Sequence, residues 1–316
     1  MENILNNATL PVEFILLGLW NQAETRPFLV AMILLAFITA LSANGVLIVL
    51  IQRDSSLHSP MYFFLSQLAF MDICQILIVV PKMAIDSLTP GNSISLAGCG
   101  AQIFLTMTMG GAVCLLLAVM SYDRYVAICN PLQYHSRMNK RTCLNLAAGV
   151  WFGASLDALI QTVFVLRLPY CNVKEVNHFF CEIPVLLKLS CTDTSTYETV
   201  LFVTGIVLLL IPSTIILSSY SCILSSILRM SSVKGKQKAL STCSSHLIVV
   251  GLFYGAAIFM YMRPSSYHSP EQDKMVSVFY TIVTPVLNPL IYSLRNRDVL
   301  GTLRKLLWKC IVCQKF

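Results

Sequence analysis

Seven long apolar stretches divide this chain, and short polar segments separate them. They cover residues 27–51, 59–80, 99–123, 143–166, 199–227, 239–262 and 273–293. Each is about as long as the roughly 20 helical residues that cross a hydrocarbon core of about 30 Å. Because backbone polar groups need internal partners in lipid, each stretch should be a helix. The pattern therefore predicts an all-α membrane protein: a seven-transmembrane helix bundle over 27–293, preceded by a polar segment 1–26 and followed by a tail 294–316.

The composition supports lipid as the solvent. The 316 residues are 56% hydrophobic and only 12% charged, whereas soluble domains carry about 25% charged residues. A water-soluble core could not hide so much apolar side chain. The net charge of +7 does not indicate nucleic-acid binding, because no basic stripe with interleaved aromatic residues is present.

The basic residues orient the bundle. Seven crossings place the termini on opposite sides, and the side of the C-terminus, counted with Arg124, holds 15 of the 22 Lys and Arg residues. The positive-inside rule then puts the C-terminus in the cytoplasm and the N-terminus outside. Residues 1–25 lack the pattern of a cleavable leader, so the first stretch is expected to direct its own insertion. Asn7-Ala8-Thr9 is a glycosylation sequon on the external side.

The tail shows a helical pattern of its own. Apolar residues recur at helical spacing, with basic residues between them, at Leu300, Leu303, Leu306, Leu307 and Ile311. This pattern predicts a short amphipathic helix on the inner leaflet. Cys310 and Cys313 are candidate palmitoylation sites there, and two free cytosolic thiols fit the sequence equally well.

Four cysteines fall on the external side: Cys99, Cys171, Cys181 and Cys191. They allow three pairings. A bond from the 167–198 loop to the third stretch would hold that loop as a lid, and closing a loop of about 80 residues contributes about 4–5 kcal/mol. His178, Cys181 and Glu182 also resemble a metal cluster, but a cysteine in a disulfide cannot serve as a thiolate ligand. We favour disulfides over a metal site and expect no cofactor.

Two acids lie at bilayer depth, where a charge costs roughly 2.5–3.5 kcal/mol. Asp72 fits either a hydrogen-bonded bundle residue or a proton or cation site within a switch; we favour the switch, because Asn288 is a natural partner. Asp157 has Gln161 one turn away, which favours a satisfied polar patch. Pro289 follows Asn288 and predicts a kink beside a polar residue.

Asp123-Arg124-Tyr125 ends the third stretch at the cytoplasmic edge. The adjacent carboxylate can hold the Arg124 side chain in one state. Once released, the guanidinium offers five donors to the carbonyl groups of a partner protein. At this position in a seven-helix bundle, the tripeptide indicates a switch that meets a partner protein.

Longer phrases carry a resemblance to a known family. They are Pro60-Met61-Tyr62-Phe63-Phe64-Leu65-Ser66, Met120-Ser121-Tyr122-Asp123-Arg124-Tyr125-Val126-Ala127-Ile128-Cys129, Lys238-Ala239-Leu240-Ser241-Thr242-Cys243-Ser244-Ser245-His246 and Pro285-Val286-Leu287-Asn288-Pro289-Leu290-Ile291-Tyr292. Across nearly the whole chain the sequence resembles rhodopsin-like G-protein-coupled receptors, and among them the olfactory receptors of the tetrapod type, class II. Ser121, Leu240 and Val113 depart from the family pattern. Many relatives carry an acid at the position of Val113, and its absence argues against an ion at Asp72.

The resemblance implies several assignments. It pairs Cys99 with Cys181 and Cys171 with Cys191. It implies a non-enzymatic receptor of the plasma membrane of olfactory cilia, helped by an escort protein, that binds a volatile odorant and a stimulatory G protein which raises cyclic AMP. The activation switch would comprise Asp72, Asp123, Arg124, Tyr220, Asn288, Pro289 and Tyr292. Arg124, Lys236 and Lys238 would contact the G protein.

The resemblance also places a ligand pocket in the outer half of the bundle. Its expected lining is Thr106, Met107, Gly110, Gly111, Ile183, Thr204, Gly205, Leu208, Tyr254, Ala257, Ile258, Tyr261, Val278 and Thr281. These residues carry no charge, which predicts a small, neutral and mostly apolar ligand. A receptor of the same fold for a peptide or lipid is the alternative. A channel or transporter is less favoured, since only two acids, Asp72 and Asp157, lie at bilayer depth.

Overall fold

The computed structural model describes residues 13–19, 26–89, 91–170, 174–263, 267, 269–295 and 299–305. The predicted sites at Asn7, Cys171, Cys310 and Cys313 lie outside these ranges. Over the described residues, seven helices are long and apolar enough to cross a membrane. The predicted fold class, an all-α seven-helix bundle, is therefore confirmed.

The helices extend beyond most of the apolar stretches. Their bounds are α1 Arg26–Arg53, α2 Pro60–Leu88, α3 Leu96–Cys129, α4 Lys140–Leu166, α5 Ser195–Arg229, α6 Val233–Tyr261 and α7 Pro270–Arg295. Polar caps outside the apolar stretches explain several starts. Ser95 Oγ accepts the Gly98 N–H at 3.0 Å, and Asn139 Oδ1 accepts the Thr142 N–H at 2.9 Å, so α3 and α4 begin just after these residues.

Two of the helices contain a π turn. In α5 the turn covers Ile206–Leu210, and in α7 it covers Phe279–Val283. In each case a proline stands two residues later, at Pro212 and Pro285. Proline has no N–H for the carbonyl four residues earlier, and that carbonyl lies inside the π turn. Each proline thus accounts for a local widening that rotates the following helix.

A small three-stranded sheet covers the outer end of the bundle. Strand β1 (Glu13–Leu16) lies between β2 (Ser93–Ser95), to which it is antiparallel, and β3 (Glu175–Val176), to which it is parallel. Residues 177–182 and the short helix Ile183–Leu187 follow β3 and are mostly buried. We call β1–β3 with residues 177–187 the lid.

Helix α3 is the central helix and packs against α2, α4 and α5. Large apolar side chains such as Phe28, Phe152 and Leu217 are exposed on the outer helix faces, as expected where lipid is the solvent. Beyond α7, residues 299–305 are helical. Thr302 Oγ1 donates to Asp54 Oδ2 at 2.6 Å and so joins this segment to the loop after α1. Hydrogen bonds from Thr302 and Ser56 lower the pKa of Asp54 to about 2.

Candidate ligand cavity and cytoplasmic switch

A largely apolar cavity lies beneath the lid, between α3, α5, α6 and α7, and reaches α2 at its inner end. It leaves about 90 Å³ for the centres of water-sized molecules. The lid forms its roof with Phe180, Cys181, Glu182 and Ile183. A space of this size and position suits a small molecule rather than a polypeptide.

Ten of the fourteen residues predicted to form a pocket lie around this cavity. They are Thr106, Met107, Gly110, Gly111, Ile183, Thr204, Gly205, Leu208, Ala257 and Tyr261. Their role in ligand binding remains a prediction. The other four, Tyr254, Ile258, Val278 and Thr281, do not line the cavity.

Helical phase explains the two misses on α6. Phe253, Ala257 and Tyr261 line the cavity at a spacing of four residues. Tyr254 and Ile258 lie one position further along the helix. The Tyr254 hydroxyl donates to the Cys114 carbonyl at 2.7 Å, and Ile258 is exposed on the outer face. Phe253, rather than Tyr254, therefore lies against the cavity.

The π turn explains the two misses on α7. Tyr280 and Thr284 line the cavity, whereas Thr281 is fully buried and donates to the Ser277 carbonyl at 2.6 Å. Val278 packs with the apolar residues between α1, α2 and α7. A π turn holds one more residue than an α turn, so counting in steps of 3.6 gives the wrong face after it.

The two glycines of α3 differ in their surroundings. A Cβ on Gly110 would have no atom within 4 Å, whereas one on Gly111 would lie 3.4 Å from the Ala154 Cβ of α4. Gly110 therefore leaves open space in the cavity. Gly111 instead allows α3 and α4 to approach each other closely.

Three carboxyl groups line the cavity, contrary to the expected absence of charge. Asp72 lies at the inner end, Asp157 on α4, and Glu182 in the roof. From the sequence, Asp157 was expected to be only a packed polar group, and Glu182 was considered only as a possible metal ligand. The signal for Glu182 was its neighbour Cys181, because a bond from Cys181 to α3 places the next residue above the bundle.

Glu182 is the most densely bonded of these acids. Its side chain is 3% exposed. Oε2 accepts from Ser277 Oγ at 2.9 Å, and Oε1 accepts from Tyr280 Oη and, at 3.5 Å, from Tyr261 Oη. The carboxylate thus joins the lid to α6 and α7.

His178 lies beside this carboxylate, with Nε2 3.2 Å from Glu182 Oε2 but without hydrogen-bond geometry. Burial raises the pKa of Glu182 to about 7, and the Tyr280 and Ser277 hydroxyls oppose that rise. Burial also lowers the pKa of His178 to about 3. The imidazole is therefore neutral at physiological pH, and the contact is not an ion pair.

The lid is held to the bundle at two further points. A disulfide joins Cys99 at the start of α3 to Cys181. The Gln102 side chain accepts the Cys181 N–H at 2.9 Å and donates to the Ile78 carbonyl of α2 at 3.3 Å. Because Cys181 is bonded to Cys99, the alternative metal cluster at His178, Cys181 and Glu182 lacks its thiolate. No group of three potential metal ligands occurs among the described residues.

At the end of the bundle opposite the lid, which we call the inner end, Asp123 is bonded differently from the prediction. Its Oδ1 accepts from Tyr134 Oη at 2.9 Å. Among the described residues, no ion pair joins Asp123 to the half-buried Arg124. The tyrosine, which belongs to the loop after α3, takes the place expected for the arginine.

Hydrogen bonds also join Tyr220 to His246 and Asn288 to Asp72. Tyr220 Oη of α5 lies 2.7 Å from His246 Nδ1 of α6, and their rings stack. Asn288 Nδ2 donates to both oxygens of Asp72, at 3.0 and 3.2 Å, beside Pro289. His246 was not among the predicted switch residues, although it ends the Lys238–His246 phrase.

Three further predicted residues surround the same end. The buried Tyr292 hydroxyl has no partner within the described part of the chain. Lys236 Nζ donates to the Leu228 carbonyl at 3.2 Å. Lys238 lies in α6, and its side chain is outside the described set. Contact of the lysines with a G protein stays a prediction.

Seven membrane-spanning helices, a covered outer cavity and a hydrogen-bonded inner end define a seven-helix receptor. The sequence model of the olfactory receptor family matches residues 32–310. The chain is 53% identical to human Olfactory receptor 2T27, with 97% of this chain and 96% of the relative covered. It is 54% identical to human Olfactory receptor 2T5 (97% and 98% covered) and 52% identical to mouse Olfactory receptor 2V1 (95% and 95%).

The chain therefore belongs to the olfactory receptor family. Members of this family are multi-pass receptors of the plasma membrane rather than enzymes, and they couple odorant ligands to G proteins. The resemblance noted in the sequence is thus confirmed.

Proposed function

We propose that this receptor binds a small, mostly apolar volatile compound in the cavity beneath the lid and activates the stimulatory G protein of olfactory neurons, which raises cyclic AMP. The observation that carries this proposal is the position of the cavity, closed above by the lid and lined mainly by apolar side chains of α3, α5 and α6. The N-terminus would face outside and the C-terminus the cytoplasm of the cilium, with an escort protein assisting transport.

Size limits the affinity. A ligand of about ten heavy atoms that contributes about 0.5–0.8 kcal/mol per atom binds in the micromolar to millimolar range. One methylene group changes the binding free energy by only about 0.8 kcal/mol. We therefore expect broad tuning across a homologous series.

The switch would work by a shift between two arrangements of α6. A ligand held against Phe253, Ala257 and Tyr261 favours one arrangement only through its differential affinity for the two. Outward movement of the inner end of α6 would separate His246 from Tyr220 and open a cleft beside Arg124. That guanidinium would then donate to carbonyl groups of the G protein.

A cyclic AMP reporter assay in cells tests this proposal. Cells that carry the receptor at the surface are exposed to a chemically diverse panel of volatile compounds. Concentration-dependent cyclic AMP in these cells, and none in cells without the receptor, is the expected result. A response to a tissue peptide or lipid extract, with none to any volatile compound, would instead favour the alternative ligand class.

A further inference from the structure

The polar groups around the cavity are unequally satisfied. Five hydroxyl-bearing residues are among the described lining residues: Thr106, Thr204, Tyr261, Tyr280 and Thr284. All five already donate to acceptors of the protein. The threonines bond backbone carbonyls at 2.8–3.1 Å, and the tyrosines are directed at Glu182 and the Met107 sulfur. No hydroxyl hydrogen of these residues is left over for a ligand.

The acceptors show the opposite pattern. Gln75 lines the cavity and is 7% exposed, and its Oε1 has no partner among the described residues. Leaving a buried acceptor unpaired costs about 1–3 kcal/mol. A ligand that brought a donor to the inner end of the cavity, beside Gln75, would remove that cost.

Glu182 offers a second acceptor at the outer end. Its Oε1 receives the Tyr261 hydroxyl only at 3.5 Å, and that hydroxyl lies 3.7 Å from the Met107 sulfur as well. The 3.5 Å contact is longer than a good O–H···O bond, about 2.7–2.8 Å, and the thioether sulfur is a weak acceptor. A donor placed between Tyr261 and Glu182 could therefore form a better bond than the one it replaces.

The charge of the lining acts in the same direction. Asp72, Asp157 and Glu182 are carboxyl groups, and the described lining residues include no lysine, arginine or histidine. An anionic ligand would enter a site of low dielectric without a cation to pair with, which is strongly unfavourable. A cationic ligand would instead find carboxyl groups to pair with.

We infer that this cavity selects ligands that carry a hydrogen-bond donor, either a hydroxyl or an ammonium group, and rejects carboxylates. The inference rests on the proposed function, since it names the chemical class of the ligand at that site. It also revises the expectation that the ligand is neutral.

Matched compounds test the inference in the cyclic AMP assay. The panel contains primary alcohols of five to ten carbons, the methyl ether isomer of each, and the amine and carboxylic acid of each chain length. An alcohol and its ether isomer have the same number of heavy atoms but differ in the donor. We expect a half-maximal concentration at least tenfold lower for the alcohol or the amine than for the ether, and no response to the acid.

Two variants locate the effect. Glu182→Gln removes the charge but keeps the size, and Gln75→Leu removes the unpaired acceptor. Each should reduce the preference for the donor by threefold or more. Asp193→Asn is the control, since Asp193 is an exposed external carboxylate away from the cavity, and it should leave the preference unchanged.

The results separate two failures. Equal potency of alcohols and ethers, potent responses to acids, or an unchanged preference in both variants would overturn this inference and leave the proposed function intact. No response of the surface-expressed receptor to any member of the panel or to other volatile compounds would contradict the proposed function, and the inference would fail with it.

Discussion

The outer and inner ends of the bundle are held together by different kinds of bond. At the outer end a disulfide, a three-stranded sheet and the hydrogen bonds of Glu182 fix the lid to α3, α6 and α7. At the inner end α5 meets α6 through the Tyr220–His246 and Leu228–Lys236 hydrogen bonds, and Asp123 is bonded to a loop tyrosine. One end is covalently closed, whereas the other depends on bonds that contribute only about 0.5–1.5 kcal/mol each.

This difference suits a receptor. A ligand site gains affinity when it is preorganised, because less ordering remains to be done on binding. A switch needs two arrangements separated by only a few kcal/mol. We expect the outer end to be rigid and the inner end to be mobile, and substitutions at each end test this difference.

The largest effect is expected for Cys99→Ser. Loss of the Cys99–Cys181 bond, which closes a separation of 82 residues, should cost about 4–5 kcal/mol, a large part of the stability of most proteins. Surface immunostaining should fall by more than tenfold. Cys222→Ser, at an exposed free cysteine, is the control. Normal surface levels of Cys99→Ser would mean that the sheet and the hydrogen bonds of Glu182 and Gln102 are enough to hold the lid.

Arg124→Ala should abolish the odorant-stimulated rise in cyclic AMP at unchanged surface level, because the guanidinium would be the donor to the G protein. Arg53→Ala, at the cytoplasmic end of α1, should respond as the unaltered receptor does. A full response of Arg124→Ala would place the switch elsewhere on the inner end.

Gly110→Leu should fill the open space beside α3. We expect the half-maximal concentration to rise by tenfold or more for the longest ligands and by less for the shortest. Gly149→Leu is the matched control, because Gly149 of α4 also has no atom within 4 Å of a built Cβ but lies on the exposed face. Equal effects of the two substitutions on ligand potency would mean that the ligand does not bind in this cavity.

Tyr220→Phe should raise basal cyclic AMP by about two- to tenfold. The substitution removes the bond to His246 Nδ1, and a bond of about 0.5–1.5 kcal/mol changes an equilibrium by about this factor. Tyr197→Phe, at the outer end of the same helix, should leave basal cyclic AMP unchanged. Unaltered basal activity in Tyr220→Phe would indicate that this bond is not a restraint on α6.

The smallest effect is a pH dependence at Glu182. Its pKa is raised to about 7 by burial, so the acid is mostly protonated at pH 6 and mostly ionised at pH 8. Ionised acceptors form the stronger hydrogen bonds, and the potency of an alcohol should therefore increase a few-fold as external pH rises from 6 to 8.

The groups around Glu182 come from the loop, α6 and α7. The loop contributes the neutral His178, α6 contributes Tyr261, and α7 contributes Tyr280 and Asp273, which is paired with Arg263 and Lys188. Ionisation of Glu182 also destabilises the lid, because a raised native pKa means that folding favours the protonated acid. That stability is present below the unfolded pKa and declines as pH rises to about 7. Glu182→Gln should remove the dependence of potency on pH.

The sequence was sufficient for the helices because a hydrophobic run of fixed length determines each of them. It was less sufficient for the lining of the cavity, because the next residue along a helix points to a different face of that helix. Phe253 and Tyr254 are adjacent aromatic residues, and only the phase of α6 decides which one lines the cavity. On α7 the π turn before Pro285 changed the phase, although the spacing of that proline could have indicated it.

Long-range contacts account for the other differences. Gly110 and Gly111 are identical in type, and the position of Ala154 on α4 separates open space from close packing. The Asp123–Tyr134 bond depends on the path of the loop after α3. Neither can be read from local periodicity.

The order of the strands in the lid has a consequence for biosynthesis. β1 is among the first segments made, yet it pairs with β3, in the register Ile15 to Glu175. About 160 residues and four membrane helices separate the two strands, so β1 cannot pair with β3 until α4 has been inserted. Contacts between residues so far apart in sequence form slowly, and during that delay the edges of β1 can pair with other chains. Rapid synthesis and insertion of the first four helices should therefore increase the yield of correctly closed receptor.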